Sequence, residues 1–441
     1  MKPGFIIYNL LLHIGTGLGF PVILYKLSTT AKYQISLKER LGLLPQHIRS
    51  DWEPGDWVWL HAVSVGEVIA AVPIVREVKK TWPQLKVLLS TVTVTGYRTA
   101  QEKIPWADQF IFFPFDYPWS VKRVIDFVQP RLFLAMETEL WPNFFHYLAQ
   151  KGVPSAIING RLSPKSYKGY RRVRFFMRHV LSQIDLFGMQ TDADAYRIQQ
   201  LGAPPERVMV LGNVKFDRAT SLTAISKEEL HTLRQSLSLN GQEQVIIAGS
   251  THRGEEEIIV EVYGQLRLHY PSLVLIIAPR HIERAEEIEE LIKRKGLRSI
   301  RRTKLLAEGS APQKDQKPII ILDTLGELAS LYALGTLVFV GGSLVPTGGQ
   351  NLLEPAVHKK PVFFGPSVFN FEEIGRILIE SGGGIQIQDG QGLANKMLEL
   401  LQQPQKIEEL GEKAQQVVFA NQGAVSRYLE LIKELLNKNN P

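Results

Sequence analysis

An acidic residue follows an apolar stretch early in the chain, at a place where it could accept a proton. Glu67 comes after the run 57–63, in the motif Ser64-Val65-Gly66-Glu67. A carboxylate at a strand end can take a proton from an attacking hydroxyl. A glutamate in the first turn of a helix can equally be a structural acid that complements the helix dipole. The position favours a general base and leaves the structural alternative open.

A second acidic pair, Glu137 and Glu139, follows the apolar run 132–136 and precedes Trp141. Two carboxylates beside a tryptophan that looks buried are costly to keep unless they are used. One lysine, Lys215, lies at the junction between the two halves of the chain. It could neutralise a phosphate or a developing negative charge, or it could be a solvated lysine on a linker.

A glycine-rich stretch in the second half has the features of a nucleotide site. Two glycine pairs, 341–342 and 348–349, follow an apolar run, and Asn351 then opens an apparent helix over 352–358. Glycines allow a ligand to approach the main chain, and a helix N-terminus suits one phosphate. Glu354, one turn into the helix, could reach both hydroxyls of a ribose. An ordinary strand–loop–helix turn would have the same pattern.

Three further strand–turn–helix stretches lie in the same half, at 248–256, 278–281 and 323–328. Hydroxyl and backbone N–H groups in such turns can cradle phosphate, and Arg280 suits a phosphate or carboxylate by bidentate contact. Several such turns together favour a nucleotide site more than any one of them alone. The chain has no GxxxxGK[ST] loop and no early GxGxxG, which argues against an ATPase or an ordinary dehydrogenase.

Alternating strand and helix patterns predict the elements that position these residues. The predicted strands are 57–63, 86–91, 109–113, 132–136, 155–158, 186–189, 208–211, 245–248, 273–278, 318–322, 337–340 and 361–364. This alternation predicts α/β architecture with doubly wound parallel sheets in two Rossmann-like domains. Two such domains would face a cleft and bind a ligand there, at the carboxyl ends of the strands. The predicted divisions are an N-terminal hydrophobic segment (1–30), a first Rossmann-like domain (31–215) and a second Rossmann-like domain (216–441).

Composition narrows the function classes. A chain of 441 residues is too long for one ordinary core. The absence of cysteine excludes disulfides, thiolate catalysis and cysteine-based zinc sites, and the ten histidines form no HExxH motif, so no metal is expected. The net charge of +7 indicates an anionic partner, which could be nucleic acid, a membrane or a substrate. No nucleic-acid-binding signature is present, so nucleic acid is the weakest of these.

Two stretches indicate a membrane surface. Residues 5–27 are almost uncharged and could just cross a bilayer, although Pro21 weakens a clean span. This stretch favours a membrane anchor or interfacial helix over a core helix packed on the domain. The second stretch, 161–178, interleaves basic and aromatic residues, which suits either a solvated helix face or a phosphorylated lipid acceptor.

Four basic residues follow the apolar segment and predict which side of the membrane holds the body of the protein. They are Lys26, Lys32, Lys38 and Arg40. A basic flank predicts that the body lies on the cytoplasmic side.

Taken together, these motifs closely resemble the 3-deoxy-D-manno-octulosonic acid (Kdo) transferases of lipopolysaccharide assembly. The resemblance is carried by the stretches 61–67, 136–143, 212–217, 278–281, 323–328 and 348–355. It implies a GT-B fold and an inverting glycosyltransferase that moves Kdo from CMP-Kdo to a hydroxyl of the lipid A precursor (lipid IVA). It also implies that no catalytic metal or other cofactor is needed, and that the enzyme works at the cytoplasmic face of the cell inner membrane.

The resemblance also implies that domain 31–215 binds the acceptor and that domain 216–441 binds the nucleotide sugar, and it implies roles for individual residues. Glu67 would accept the proton of the lipid hydroxyl, and Glu137 and Lys215 are similar in position to transition-state stabilisers. The implied CMP-binding residues are Pro279, Arg280, Leu325, Gly326, Glu327, Asn351, Leu352, Leu353 and Glu354. The family often has histidine near the position of Gln350, where glutamine can retain a hydrogen bond.

Two alternatives of other classes remain open from the sequence. A UDP-sugar transferase or epimerase would share the fold but need pyrophosphate contacts. A non-catalytic, membrane-associated lipid-binding relative would keep the basic face and need no Glu67.

Overall fold

The structure, a computed structural model, describes residues 3–29, 31–50, 52–53, 55–220, 225–308 and 317–438. The chain divides into two compact units. The first comprises the described residues of Met1–Asp217 and Gly423–Pro441, and the second is Arg218–Gln422 without its undescribed stretches. Each unit is built on a seven-stranded parallel sheet.

The first unit contains strands and helices in near-regular alternation. Its strands are β1 (Trp57–His61), β2 (Lys86–Thr91), β3 (Gln109–Phe112), β4 (Leu132–Met136), β5 (Ser155–Gly160), β6 (Leu186–Met189) and β7 (Val208–Val210). Its helices are α1 (Pro3–Thr29), α2 (Ala31–Arg40), α3 (Gln46–Ser50), α4 (Val65–Thr81), α5 (Val94–Lys103), α6 (Pro118–Val128), α7 (Pro142–Gln150), α8 (Pro164–Arg171), α9 (Arg174–Leu181), α10 (Asp192–Leu201) and, across the division, α11 (Val214–Thr220). A 3-10 turn lies at Pro205–Arg207.

The second unit repeats this plan. Its strands are β8 (Val245–Thr251), β9 (Val274–Pro279), β10 (Ser299–Arg301), β11 (Ile319–Ile321), β12 (Leu337–Val340), β13 (Val362–Phe364) and β14 (Gly384–Gln386). Its helices are α12 (Lys227–Ser236), α13 (Glu255–Leu266), α14 (Ala285–Arg294), α15 (Arg302–Glu308), α16 (Leu328–Leu331), α17 (Leu353–Val357), α18 (Glu372–Ser381), α19 (Gly390–Leu401) and α20 (Pro404–Ala420). Short 3-10 turns lie at Ile282–Arg284 and Tyr332–Leu334, and the last helix of the chain, α21 (Ala424–Lys438), belongs to the first unit.

Both sheets have a doubly wound strand order. The first runs β3-β2-β1-β4-β5-β6-β7 and the second β10-β11-β9-β8-β12-β13-β14. The central strands β1 and β4 are buried along their whole length, which explains why they read as continuous apolar runs. The winding reverses between β1 and β4, and between β8 and β12, so that chain segments diverge at these carboxyl ends. The predicted α/β class and parallel sheets are confirmed.

The position of the last helix differs from the predicted division, which assigned 216–441 to one domain. The apolar face of α21 packs into the core of the first unit against α4, and Tyr428 donates to the carbonyl of Gly212 at 2.9 Å. The carboxylate of Asp217 accepts the backbone N–H groups of Gly423 and Val425. The sequence alone could not assign this helix to one of the two sheets.

Several element bounds also differ from the prediction. The edge strands β10 and β14 and the helix α15 were not predicted, because they are short and partly exposed. The predicted helix over 352–358 is the single turn α17. The junction between the two halves, which the sequence predicts as a hinge over 212–226, contains α11, and residues 221–224 lie outside the described part of the chain.

Candidate active site

The first candidate site begins at Glu67, at the carboxyl end of β1. Glu67 is the third residue of α4, because β1 ends at His61 and Ser64 is the N-cap of the helix. Its carboxylate accepts the backbone N–H of Val63 at 2.8 Å and the hydroxyl of Ser64 at 2.9 Å. The residue is 7% exposed, so these two bonds fix its direction.

The electrostatic surroundings of Glu67 favour its protonated form. Burial raises its pKa to about 8, and the nearby carboxylates Glu137 and Glu139 contribute to the increase. The hydrogen bonds from Val63 and Ser64 oppose the shift without cancelling it. A carboxyl group with a pKa near the working pH can both take and release a proton, as a general base must.

Glu137 and Glu139 reach this place from the next strand across the winding reversal. Glu137 follows β4 directly and adopts a left-handed backbone conformation with a φ of 55°. Its N–H is bonded to the carbonyl of Ile158 at 2.9 Å, which holds the turn. Burial, and then the charge of Glu137, raise the pKa of Glu139. Backbone strain of this kind costs about 1–3 kcal/mol and is concentrated at functional sites.

Lys215 supplies a positive charge to the same cluster. It is the second residue of α11, and its backbone N–H is bonded to Asn213 Oδ1 at 3.0 Å. Burial lowers the pKa of Lys215, attraction to Glu137 opposes the decrease, and Arg161 adds to it. Lys215 is therefore a half-buried lysine beside Glu137 and not a solvated lysine on a linker. The structure brings the three residues predicted to be catalytic into one cluster within the first unit.

His61 is the other potential base near Glu67, and its surroundings are those of a packed residue. The imidazole is fully buried, stacks on Phe113 with ring centroids 3.8 Å apart, and lies 3.0 Å from Ser90 Oγ through Nδ1. Burial lowers the pKa of His61 to about 3. A ring held neutral by its packing is a weak proton acceptor, which leaves Glu67 as the better candidate.

The second candidate site lies in the second unit around Glu354. Glu354 is the second residue of α17, and its carboxylate accepts from Asn351 Nδ2 at 3.0 Å. Burial raises the pKa of Glu354, while the charges of Arg218 and Arg280 lower it. Arg280 directly follows β9 and is exposed. Its charge interacts with the carboxylate of Glu354 in α17, so the structure brings this cation and this carboxylate together from separate elements.

The stretch 325–327 lies a few residues before Tyr332 in the sequence. Tyr332 is buried, and burial and the charge of Glu354 raise its pKa. The carboxylate of Glu327 accepts from Arg302 Nε at 3.0 Å and from Thr324 Oγ1 at 3.0 Å. Leu325 is 77% exposed. The carboxylate of Glu327 is therefore hydrogen-bonded to side chains of the protein itself.

The turn after β8, which was predicted to cradle phosphate, also contains a carboxylate that binds backbone groups of the protein itself. The carboxylate of Glu255, fully buried at the start of α13, accepts the N–H of His252 at 2.8 Å. It also accepts the N–H groups of Gly342, Ser343 and Leu344 at 2.7, 2.9 and 2.9 Å. The glycine-rich loop after β12 is thus bound to a carboxylate of the protein itself.

Three residues near the second site were not predicted from the sequence. Arg218 and Tyr332 interact electrostatically with Glu354, and His252 Nε2 lies 3.2 Å from Gln350 Nε2. Arg218 lies three residues after Lys215 in the same short helix, which is a spacing that could have identified it. The positions of His252 and Tyr332 depend on packing between separate elements.

The N-terminal helix α1 has one side packed on the first unit and the other exposed. Phe5 is 1% exposed and contacts the rings of His146 and Phe176. The exposed side is apolar and includes Ile6, Ile7, Leu10, Leu11, Ile14, Leu18 and Phe20. By length and composition alone, Gly4–Pro21 is long and apolar enough to cross a membrane.

The basic stretch 161–178 forms α8 and α9. Its exposed cations are Lys165, Lys168, Arg171, Arg172, Arg174 and Arg178. The aromatic residues of this stretch differ in burial. Tyr167 and Tyr170 pack on the core of the first unit, whereas Phe175 is 83% exposed.

One of the four residues of the predicted basic flank, Arg40, packs on the first unit. Arg40 is half-buried in the first unit, donates to Ser36 Oγ at 3.0 Å and lies 5.5 Å from the ring centroids of Phe112 and Phe115. Lys38 is exposed, and the side chains of Lys26 and Lys32 lie outside the described part of the structure.

In the described residues, no group of three or more His, Asp or Glu is arranged to hold a metal ion.

Comparison with known proteins identifies relatives over most of the chain. Residues 36–218 match the family model described as 3-deoxy-D-manno-octulosonic-acid transferase (kdotransferase). The chain is 36% identical over 410 residues to the 3-deoxy-D-manno-octulosonic acid transferase of Haemophilus influenzae, covering 92% of this chain and 93% of that protein. It is 32% identical over 388 residues to the enzyme of the same name from Bordetella pertussis, covering 86% and 87%.

A solved structure with the same fold is the UDP-GlcNAc 2-epimerase from Neisseria meningitidis. It is 14% identical, has a TM-score of 0.58, and covers 87% of this chain and 100% of that one. At this identity the likeness concerns the fold, and it confirms the predicted GT-B class with two Rossmann-like units. The relatives from Haemophilus and Bordetella show that this chain belongs to the 3-deoxy-D-manno-octulosonic acid transferase family, and it is a glycosyltransferase of that family.

Proposed function

We propose that the protein transfers Kdo from CMP-Kdo to a hydroxyl of a phosphorylated lipid A precursor, with inversion at the anomeric carbon. The observation that carries this proposal is the buried Glu67, flanked by Glu137 and Lys215 at the winding reversal of the first sheet. A lipid-binding relative without catalysis would have no use for a buried carboxylate whose pKa is raised into the working range.

The chemistry is a single displacement. The acceptor hydroxyl oxygen attacks the anomeric carbon of Kdo, and Glu67 takes the proton of that hydroxyl. The bond between the anomeric carbon and the phosphate oxygen breaks, and CMP leaves with the bonding electrons. Lys215 and Glu137 are proposed to stabilise the charges that develop in this transition state.

The donor site is proposed at Arg280, Asn351 and Glu354, together with the backbone of Pro279, of 325–327 and of 352–353. CMP carries one phosphate, which a single guanidinium can neutralise, and a ribose whose hydroxyls suit the carboxylate of Glu354. The occupation of the loop 342–344 by Glu255 supports a donor with one phosphate over a donor with two.

The acceptor side is proposed to lie on the membrane, with α1 as an interfacial helix. The packing of Phe5 and the hydrogen bond of Tyr8 to Asp116 hold α1 along the first unit, while its exposed side is apolar. The cations of α8 and α9 would interact with anionic headgroups and lipid phosphates. We propose the cytoplasmic face of the inner membrane, where a basic protein surface meets anionic lipid.

The test is direct. The purified protein is incubated with CMP-Kdo and a tetra-acylated lipid A precursor, and the lipid is weighed by mass spectrometry. We expect the mass of the lipid to increase by one or more Kdo units. A lipid of unchanged mass in the presence of active control enzyme would refute the proposal, and transfer from a UDP-sugar instead would identify the other GT-B class.

A further inference from the structure

Polar residues on the inward side of α1 are hydrogen-bonded to Asp116 and to the beginning of α7. Tyr8 donates its hydroxyl to Asp116 Oδ2 at 2.9 Å. Asn9 and Asn143 pair through their side-chain amides, with 2.6 Å from Asn143 Nδ2 to Asn9 Oδ1 and 3.2 Å from Asn9 Nδ2 to Asn143 Oδ1. A helix that served only to attach the protein to a membrane would need none of these specific contacts.

Asp116 is the centre of this buried cluster. It is 4% exposed, and its carboxylate accepts the backbone N–H groups of Asn143 at 3.0 Å and Phe144 at 2.9 Å. These are donors of the first turn of α7, so Asp116 caps that helix from a distant part of the chain. Burial raises the pKa of Asp116 to about 7, which makes each remaining donor, including Tyr8, important for the carboxylate.

The start of α7 lies next to the acidic loop 137–141 and is connected through aromatic contacts to the strand that precedes Glu67. The helix begins at Pro142, directly after the acidic loop 137–141. Trp141, the last residue of that loop, packs on Phe113 with ring centroids 5.5 Å apart. Phe113 in turn stacks on His61 at 3.8 Å, at the end of the strand that leads to Glu67. A displacement of the start of α7 would therefore also move the carboxylates of Glu137 and Glu139 relative to Glu67.

We propose that Tyr8, Asn9 and Asp116 are positioning residues that hold the acidic loop 137–141 in place. The N-terminal helix α1 then sets the rate of transfer in addition to attaching the protein to the membrane. This inference rests on the proposed function only in that the rate measured is Kdo transfer. The exposed apolar side of α1 has no part in the positioning.

The experiment compares the two sides of α1 in the full-length protein dispersed in detergent. The inward variants are Tyr8→Phe and Asn9→Ala, and the outward controls are Leu11→Ser and Leu18→Ser, at positions 61% and 79% exposed. We expect the inward variants to lose kcat by about tenfold or more with an unchanged KM for CMP-Kdo, because misplaced groups slow chemistry. The outward variants should keep kcat and lose retention on anionic vesicles, which the inward variants should keep.

Amide hydrogen exchange over 137–144 gives a readout that does not depend on transfer. We expect faster exchange in Tyr8→Phe than in wild type, and wild-type exchange in Leu18→Ser. Tyr8→Phe keeps the ring that stacks on Phe176 at 5.5 Å, so it removes the hydroxyl alone. Inward variants with wild-type kcat and wild-type exchange would overturn the inference. If wild type transfers no Kdo, the proposed function fails, and the exchange data still decide whether α1 holds the loop.

Discussion

At the scale of single residues, Glu67 carries the sharpest prediction. A lipid hydroxyl is a poor nucleophile, and general-base catalysis contributes on the order of 10²–10⁴ in rate. The change Glu67→Gln keeps the side-chain shape and removes its basicity. We expect a folded protein that binds CMP with wild-type affinity and transfers Kdo slower by about that factor. Single-turnover transfer and calorimetry measure the two properties.

A folded Glu67→Gln protein with near-wild-type transfer would remove Glu67 from the mechanism. Glu137 or Glu139, the two carboxylates that interact with Glu67, would then become the candidate general base. The matched variant Glu77→Gln, at a partly exposed position of the same helix, should have no effect on transfer.

The raised pKa of Glu67 predicts the pH dependence of transfer. The base must be ionised to accept a proton, so kcat/KM should rise with pH and level off above about 8, the pKa of the free enzyme. A pH–rate profile of wild type measures this rise. The same rise should be absent from the residual activity of Glu67→Gln. A wild-type profile that is flat between pH 6 and 9 would contradict the assignment.

The same shift has a stability consequence that is independent of catalysis. An acid whose pKa rises from 4.5 unfolded to about 8 folded keeps its proton longer in the folded state. The unfolded state is then favoured progressively as pH rises between those two values, so Glu67 lowers stability in that window. Glutamine does not titrate. The Tm of Glu67→Gln relative to wild type should therefore increase across the window, as measured by thermal unfolding.

Glu354 carries the corresponding prediction for the donor site. The change Glu354→Ala removes the charged acceptor for the ribose hydroxyls, a contribution of roughly 1.5–3 kcal/mol. We expect CMP affinity to fall by about 10- to 100-fold in calorimetry. The control is Glu372→Ala, at an exposed position of the same unit, which should bind CMP as wild type does. Unchanged affinity in a folded Glu354→Ala protein would exclude Glu354 from the site.

At the scale of elements, Glu255 joins the start of α13 to the loop after β12. Its carboxylate accepts four backbone N–H groups from two segments that diverge at the winding reversal. Leaving buried donors unsatisfied costs about 1–3 kcal/mol each, and such losses are not additive. We expect Glu255→Ala to lower the free energy of unfolding of the second unit by at least about 3 kcal/mol in denaturant titrations.

The variant Glu255→Gln separates charge from volume. The amide fills the same space but directs its NH₂ group at backbone donors, so it should lose most of the same stability. Glu257→Ala, in the same first turn but exposed, should change stability by less than about 0.5 kcal/mol. A fully stable Glu255→Gln protein would mean that the four hydrogen bonds contribute little.

The elements differ in how well the sequence alone predicts them. The bounds of β2, β4, β6 and β12 were predicted to the residue, because each contains a buried apolar stretch that is bounded by polar or turn residues. The edge strands β10 and β14 have too few buried side chains to give such a pattern. The unit to which α21 belongs depends on which core accepts its apolar face, and that choice is made between elements far apart in sequence.

The residues of the candidate sites also differ in how well the sequence alone predicts their roles. Glu137 and Arg280 were identified because each directly follows a strand, and Glu67 because it lies in the first turn of the helix after β1. Within each sheet, parallel strands bring their carboxyl ends to one edge. Glu255 was predicted only as part of a phosphate cradle, since nothing in the local pattern shows that its carboxylate turns back onto another loop. The polar contacts of α1 were also missed, because an apolar helix pattern does not indicate what Tyr8 and Asn9 contact.

At the scale of the whole molecule, net charge and the exposed side of α1 predict how the protein binds lipid surfaces. The chain has a net charge of +7, and α8 and α9 expose basic residues beside Phe175, which is 83% exposed. Each cation near an anionic surface contributes about 1 kcal/mol, and salt screens that attraction. The apolar side of α1 should add a contribution that salt does not weaken.

The test replaces three exposed cations of α8 by glutamine: Lys165, Lys168 and Arg171. We expect binding to anionic vesicles to weaken by about 3 kcal/mol at low salt, which is roughly 100-fold, and by much less at high salt. Flotation over a range of salt concentrations measures both values. Transfer in detergent at saturating acceptor should stay within a few-fold of wild type, because these side chains are proposed to contact anionic headgroups and lipid phosphates and not the reacting atoms.

The matched control has the same net charge but changes exposed cations of the second unit: Lys227, Lys293 and Arg294 to glutamine. If the basic face of α8 binds the membrane, the control should retain nearly all of its vesicle binding at every salt concentration. Equal losses in the two triple variants would mean that overall charge, and not this face, attracts the protein. Wild-type binding by the α8 variant at low salt would leave α1 as the membrane contact, since its apolar side does not depend on charge.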